Sequence, residues 1–123
     1  MINKIKIIYG GSNQTKSFEY TFDDKKGTYQ GNVNEKNIPH GKGTFKFENG
    51  DIYEGDLQNG KRHGNGKYTY SHGDIYEGEY KDDIQNGQGK YTYSDGSIYE
   101  GEYKDSFKNG KGKRSEEHTS ELQ

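Results

Sequence analysis

Residues 53–75 read Tyr53-Glu54-Gly55-Asp56-Leu57-Gln58-Asn59-Gly60-Lys61-Arg62-His63-Gly64-Asn65-Gly66-Lys67-Tyr68-Thr69-Tyr70-Ser71-His72-Gly73-Asp74-Ile75. The spacing of tyrosine and glycine in this stretch then begins again. Tyr53-Glu54-Gly55, Tyr76-Glu77-Gly78 and Tyr99-Glu100-Gly101 stand 23 residues apart, and Tyr29-Gln30-Gly31 is an earlier copy of the same element. A second column, Gly-x-Gly, falls at Gly41/Gly43, Gly64/Gly66, Gly87/Gly89 and Gly110/Gly112, and a third places Gly50, Gly73 and Gly96 in turns. Of 19 glycines, 15 lie in these columns, so glycine is placed by position here and is not linker filler. Self-similarity at a fixed period of this size marks a repeat architecture, in which each unit buries its face only against its neighbours.

Within a repeat the period is two. Lys67-Tyr68-Thr69-Tyr70-Ser71 and Ile75-Tyr76-Glu77-Gly78-Glu79-Tyr80 alternate ring and polar residue, with the Tyr and Thr that pleated, half-buried surfaces favour, and so predict strands. Asn49-Gly50, His72-Gly73 and Asp95-Gly96 stand between them as hairpin turns needing positive φ. Each repeat then reads as one hairpin plus a longer, glycine-bearing return. No helix of useful length fits: alanine is absent, leucine occurs only at Leu57 and Leu122, and glycine interrupts every window of helical length. The expected fold is all-β, an elongated antiparallel meander of hairpin repeats forming a single-layer twisted sheet.

The first repeat is one residue longer, 24 from Tyr29 to Tyr53. The extra residue lies between Gly31 and Gly41, where Ile38-Pro39-His40 occupies the connection. Upstream, Tyr20-Thr21-Phe22 echoes Tyr68-Thr69-Tyr70, which predicts N-terminal strands and a degenerate half-repeat capping the array over 1–27, with three full repeats and an incomplete fourth over 28–113. On one face, equivalent rings are expected to build the columns Tyr29/Tyr53/Tyr76/Tyr99, Phe45/Tyr68/Tyr91 and Phe47/Tyr70/Tyr93, covering the mid-strand glycines. Glu77, Glu79 and Lys81 take the opposite face.

Composition explains why rings must serve as the core. Leu, Ile, Val and Phe together number 17 of 123 residues, below the roughly 20% at which a conventional core becomes doubtful. Yet 12 Tyr and a net charge of only -2 argue against disorder. With no cysteine, disulfide frameworks, zinc-thiolate sites and thiol catalysis are excluded. The near balance of charge gives no global pull toward nucleic acid.

The pattern Tyr-Glu-Gly, loop, Gly-x-Gly-x-Tyr, glycine turn resembles the MORN repeat (membrane occupation and recognition nexus), over Thr28 to Lys113. Its clearest copy is Tyr53-Glu54-Gly55-Asp56-Leu57 through His63-Gly64-Asn65-Gly66. The resemblance implies a non-enzymatic scaffold for protein–protein contact, placed to position a further domain downstream. The alternative it implies is peripheral binding to anionic phospholipid membranes, as in junctophilins and MORN-bearing phosphatidylinositol-phosphate kinases. Either suits a cytoplasmic location, peripheral to membrane or cytoskeleton.

Candidate interaction residues are the rings Tyr68, Tyr70, Tyr80, Tyr91, Tyr93 and Tyr103, whose phenols offer large, rigid contact area, together with Lys61 and Arg62. The same rings are also the only core available, and for most of the ladder that structural role comes first. Gly55 to Lys61 has the spacing of a phosphate-binding loop, but Arg62 replaces the Ser/Thr that would hold magnesium and no helix follows. His40 and His63 precede Gly-x-Gly one repeat apart; Asn86 and Asn109 fill that position elsewhere, which points to a turn role rather than a metal. Asp82, Asp83 and Asp105 interrupt any basic stripe formed by Lys61, Arg62, Lys108, Lys111 and Lys113. No catalytic set, cofactor fingerprint, metal site or nucleic-acid surface is expected.

After Lys113 the aromatic strand that should follow is replaced by Arg114 to Gln123, Arg-Ser-Glu-Glu-His-Thr-Ser-Glu-Leu-Gln. These residues are identical to a translation of a widely used short-read sequencing adapter, and a non-native tail over 114–123 is the expectation. Without it the charges balance, 17 basic against 17 acidic.

Overall fold

The computed structural model describes residues 15–22, 24–105, 107–108 and 113–115. Eight strands follow one another antiparallel in chain order: β1 (Thr15–Phe22), β2 (Lys25–Val33), β3 (Pro39–Phe47), β4 (Ile52–Gln58), β5 (Lys61–Thr69), β6 (Ile75–Lys81), β7 (Ile84–Thr92) and β8 (Ile98–Lys104). Two short strands, β9 (Phe107–Lys108) and β10 (Lys113–Ser115), both pair with β8. The result is one open meander sheet, with no helix among the described residues. Residues 116–123 of the tail, and Lys111, lie outside the described residues; Arg114 and Ser115 continue the repeat register, opposite Tyr99 and Ile98.

The register joins what the sequence keeps apart. Phe18, Tyr29, Phe45, Tyr53, Tyr68, Tyr76, Tyr91 and Tyr99 stand directly opposite one another from strand to strand. The two expected columns Tyr29/Tyr53/Tyr76/Tyr99 and Phe45/Tyr68/Tyr91 are therefore a single row. Two residues along, Gly31, Gly43, Gly55, Gly66, Gly78, Gly89 and Gly101 form a second row on the same face. The row also corrects the N-terminal alignment. Phe18, not Tyr20, stands opposite Tyr29, while Tyr20 faces Gly27, because β1 and β2 run longer toward their turn than the other hairpins do.

Of the two connections of the repeat, the glycine hairpin turn is as expected and the return is not. At Asn49-Gly50 only the glycine has positive φ, 101°, and the same holds for Gly73 and Gly96. Gly50 N–H donates to the Phe47 carbonyl and Phe47 N–H to the Asp51 carbonyl, so this is a three-residue loop in which glycine occupies the left-handed position. His72 is tolerated before Gly73 for that reason. The supposedly longer return is the tighter turn. Asn59-Gly60 (φ 49° and 84°) and Asp82-Asp83 (φ 49° and 74°) each join strands whose flanking residues pair, Gln58 with Lys61 and Lys81 with Ile84. Two central residues in the left-handed region make a turn whose twist matches that of the strands. In the first repeat the extra residue falls in Asn34 to Ile38, between the paired Val33 and Pro39. Pro39 and His40 belong to β3, and the first residue of a strand is a position that tolerates proline.

The core is one face of this sheet. Tyr29, Phe45 and Tyr76 are 0% exposed and Tyr53 is 1% exposed. Val33, Leu57, Tyr80 and Tyr103 add a further buried line beyond the glycines. The outer face alternates charge across the strands, Glu54, Lys67, Glu77, Lys90 and Glu100 standing opposite one another, beside a row of Ile52, Thr69, Ile75, Thr92 and Ile98.

Candidate interaction groove

Each repeat lays a tyrosine over the glycine row. A Cβ built on Gly43 would sit 2.2 to 2.5 Å from the Tyr29 ring, and one on Gly66 2.4 to 2.6 Å from the Tyr53 ring. Gly89 stands in the same relation to Tyr76. The ring is then fixed at its far end. The register slips between Gly31 and Val33, Gly55 and Leu57, and Gly78 and Tyr80, which takes the intervening residue out of the ladder. Its carbonyl accepts the phenol: Tyr29 Oη donates to Asn32 O (2.6 Å), Tyr53 to Asp56 O (2.5 Å) and Tyr76 to Glu79 O (2.8 Å), and in the last repeat Tyr99 Oη donates to Glu102 O (3.1 Å). Burial pushes the Tyr29 phenol up to about 12.

A second set of bonds ties each repeat to the next. Tyr68 Oη donates to Asp51 Oδ2 (2.7 Å) and Ser71 N–H to Asp51 Oδ1 (2.8 Å). Tyr91 and Ser94 repeat the arrangement on Asp74. Burial acts to raise the Asp51 pKa, but the hydrogen bonds from Tyr68, Ser71 and Asn49 outweigh it and hold the carboxyl below its ordinary range. On the other edge the tight turns stack, with Gly60 N–H donating to Pro39 O and Asp83 N–H to Arg62 O. The Nδ1 atoms of His40 and His63 accept the Asn59 and Asp82 N–H groups of the next turn.

Against this background one groove stands out, a hollow of about 540 Å³ lined by Tyr68, Tyr70, Tyr80, Tyr91, Tyr93, Tyr103, Arg62, Gln85, Asp83 and Lys25. It brings together every ring singled out from the sequence as a contact surface, and Arg62 with them. Lys61, exposed at the start of β5, is outside it. Tyr70, Tyr91 and Tyr93 are half-buried, whereas Tyr68, Tyr80 and Tyr103 are buried. The Tyr103 hydroxyl lies in the interior and makes no hydrogen bond. A second hollow of about 650 Å³, lined by His63, Asn65, Glu79, Lys81, Asn86 and Glu102 among others, runs behind Tyr80 and Tyr103.

Arg62 is the feature that sequence reasoning undervalued. Its guanidinium lies 5.5 Å from the Tyr68 ring centroid and 5.1 Å from that of Tyr80. Its Nε meets Asp83 Oδ1 at 3.1 Å, its Nη2 donates to Asp83 O, and its backbone N–H donates to Asp83 Oδ1 (2.8 Å). The arginine thus holds Asp83 in the left-handed conformation its tight turn requires. The available signal was positional: in the repeat alignment Arg62 falls where the other copies have Pro39, Gln85 and Lys108.

A sequence profile of the MORN repeat matches four consecutive stretches, residues 29–52, 53–75, 76–98 and 99–115. The chain belongs to the MORN-repeat family. The matched stretches begin at Tyr29, Tyr53, Tyr76 and Tyr99, of which the first three lie over the glycine row, and all four donate to the carbonyl three residues on. No curated protein matches the chain. MORN repeats are in general non-enzymatic, and they mediate protein or membrane-lipid interactions. Among the described residues of this MORN array no helix is long and apolar enough to cross a membrane, and no group of three or more His, Asp or Glu is placed to hold a metal ion.

Proposed function

We propose that this MORN array is a non-enzymatic scaffold that docks a protein segment in the tyrosine groove between β5 and β8. The observation that carries the reading is the groove itself. Half-buried rings at Tyr70, Tyr91 and Tyr93 line its walls, with buried Tyr80 and Tyr103 beneath them. Rigid phenols offer contact area at small entropic loss, and such surfaces favour protein partners. The outer face, where Glu and Lys alternate from strand to strand, presents no basic stripe for headgroups.

The test compares the full chain with a Tyr70→Ala, Tyr93→Ala variant whose melting curve shows that it remains folded. A protein retained by the parent chain and released by the variant supports docking in the groove. Equal retention by both overturns it. Sedimentation with anionic phospholipid vesicles over a salt series addresses the lipid interaction known in the family, since attraction by headgroup charge weakens as ionic strength rises.

A further inference from the structure

The sheet is unfinished at β1. Strands β2 to β7 each lie between two others, whereas among the described residues β1 pairs only with β2. The other edge of this eight-residue strand, Thr15–Phe22, carries N–H and C=O groups to which no described strand bonds, and no proline or bulge blunts it. The ring row thins out at the same place. Tyr29, Phe45, Tyr53, Tyr68 and Tyr76 are 3% exposed or less, but Phe18, the first ring of the row, is only half-buried, with Tyr20 and Tyr29 as its aromatic neighbours.

The chain holds a segment that fits this edge in length and pattern. Residues 1–14 precede β1 and read Met1-Ile2-Asn3-Lys4-Ile5-Lys6-Ile7-Ile8-Tyr9-Gly10-Gly11-Ser12-Asn13-Gln14. Ile5, Ile7 and Tyr9 alternate with Lys4, Lys6 and Ile8, a β-branched pattern of period two, and Gly10-Gly11-Ser12-Asn13 supplies turn residues between this run and β1. A four-residue loop over 10–13 sets Ile8 opposite Thr15, Lys6 opposite Ser17, Ile5 opposite Phe18 and Lys4 opposite Glu19. Ile5 then extends the ring row on the core face, and Lys4 meets Glu19 on the outer face. A two-residue loop at Gly10-Gly11 keeps the same faces but sets Ile5 against Lys16 and Asn3 against Phe18, so packing and charge both select the longer loop.

We propose that residues 2–9 are the occupant of the β1 edge, an antiparallel strand with Ile5 on the Phe18 side and Lys4 beside Glu19. A second copy of the chain competes for the same edge. The tethered segment wins because closing so short a loop costs little entropy and holds it there at a roughly millimolar effective concentration. The strand thereby shuts this end of the array against pairing with other chains.

The test has two parts, both on the full chain. Native-state hydrogen exchange reads β1 one amide at a time, since alternate N–H groups of an edge strand point away from its only partner. Protection of every amide from Lys16 to Thr21 is expected; alternate amides exchanging at least about tenfold faster than their neighbours would show an open edge and overturn the proposal. The chain has no cysteine, so an introduced pair reports the occupant and its register. Lys4→Cys with Glu19→Cys should close an intramolecular disulfide at least about tenfold faster than Ile5→Cys with Glu19→Cys, whose side chains take opposite faces. Equal rates for the two pairs overturn the register. A disulfide that joins two chains instead assigns the edge to a second copy and overturns the proposal.

Discussion

Replacing Gly66 by alanine sets two effects of opposite sign against each other. Gly66 does not have positive φ, so in an open strand the added methyl would stabilise the fold by about 0.4–1 kcal/mol through the unfolded chain. Here the methyl would stand 2.4 Å from Tyr53 Cε1 and Oη. The ring cannot step aside: it is 1% exposed and meets Tyr80 edge-on at a centroid distance of 5.5 Å. Overpacking of this kind costs about 1–3 kcal/mol. Losing the bond from Tyr53 to the Asp56 carbonyl adds about 1 kcal/mol, and subtracting the gain through the unfolded chain leaves a net destabilisation of roughly 1–3.5 kcal/mol. In thermal denaturation followed by circular dichroism, a chain of this length should melt roughly 10 °C lower. In a Tyr53→Leu background the same Gly66→Ala change should cost almost nothing, since the obstacle is gone. An unchanged or raised melting temperature for Gly66→Ala would refute the reasoning.

Three further outcomes follow from the same contacts. Hydrogen bonds hold Asp51 and Asp74 below their ordinary 3.8, so the stability they contribute is complete above that value and is lost as pH falls through their folded values; an Asp51→Asn, Asp74→Asn pair should flatten the acid limb of a melting-temperature profile, and identical limbs would contradict this. Arg62→Ala should cost about 3 kcal/mol in urea denaturation, because it strands Asp83 in a partly buried turn; a change under about 1 kcal/mol would mean the pair behaves as a surface ion pair. Burial raises the phenol pKa values of Tyr53, Tyr68, Tyr76, Tyr80 and Tyr91, and the stability linked to them is complete below pH 10 and lost as pH rises through their folded values; absorbance at alkaline pH should show these rings titrating late and together with unfolding, whereas all twelve tyrosines titrating near 10 with the sheet intact would oppose it.

What the sequence revealed, and what it hid, have separate physical causes. Tyr53-Glu54-Gly55 and its copies were readable because a ring lying flat on a neighbouring strand forbids any side chain beneath it, so glycine recurs wherever the ring does. That the copies join into one row was not readable, because spacing along the chain does not give the pairing across it. Asn49-Gly50 and Asn59-Gly60 are the same dipeptide in two different turns, and Asp82-Asp83 makes the tight turn with no glycine at all. The bulges at Asp56 and Glu79 concealed how far the strands continue beyond the Tyr-Glu-Gly element. Tyr20-Thr21-Phe22 misled by two residues, because resemblance in side-chain type did not account for the longer first hairpin. In the groove, the rings could be named one by one from their alternation. The pairing of Arg62 with Asp83 could not, since 21 residues separate them and no other repeat carries the same pair.

The central claim is that the paired strands of each repeat are locked together by a tyrosine ring of one strand lying on a glycine of the other. Proton NMR of the folded chain tests it most directly, through the α-protons of Gly43, Gly66 and Gly89 and their cross-relaxation with the rings of Tyr29, Tyr53 and Tyr76. Strong contacts between each ring and its glycine, with those α-protons shifted well upfield by the ring currents, are the predicted result. Glycine signals at unperturbed positions with no contact to the tyrosine rings would contradict the account.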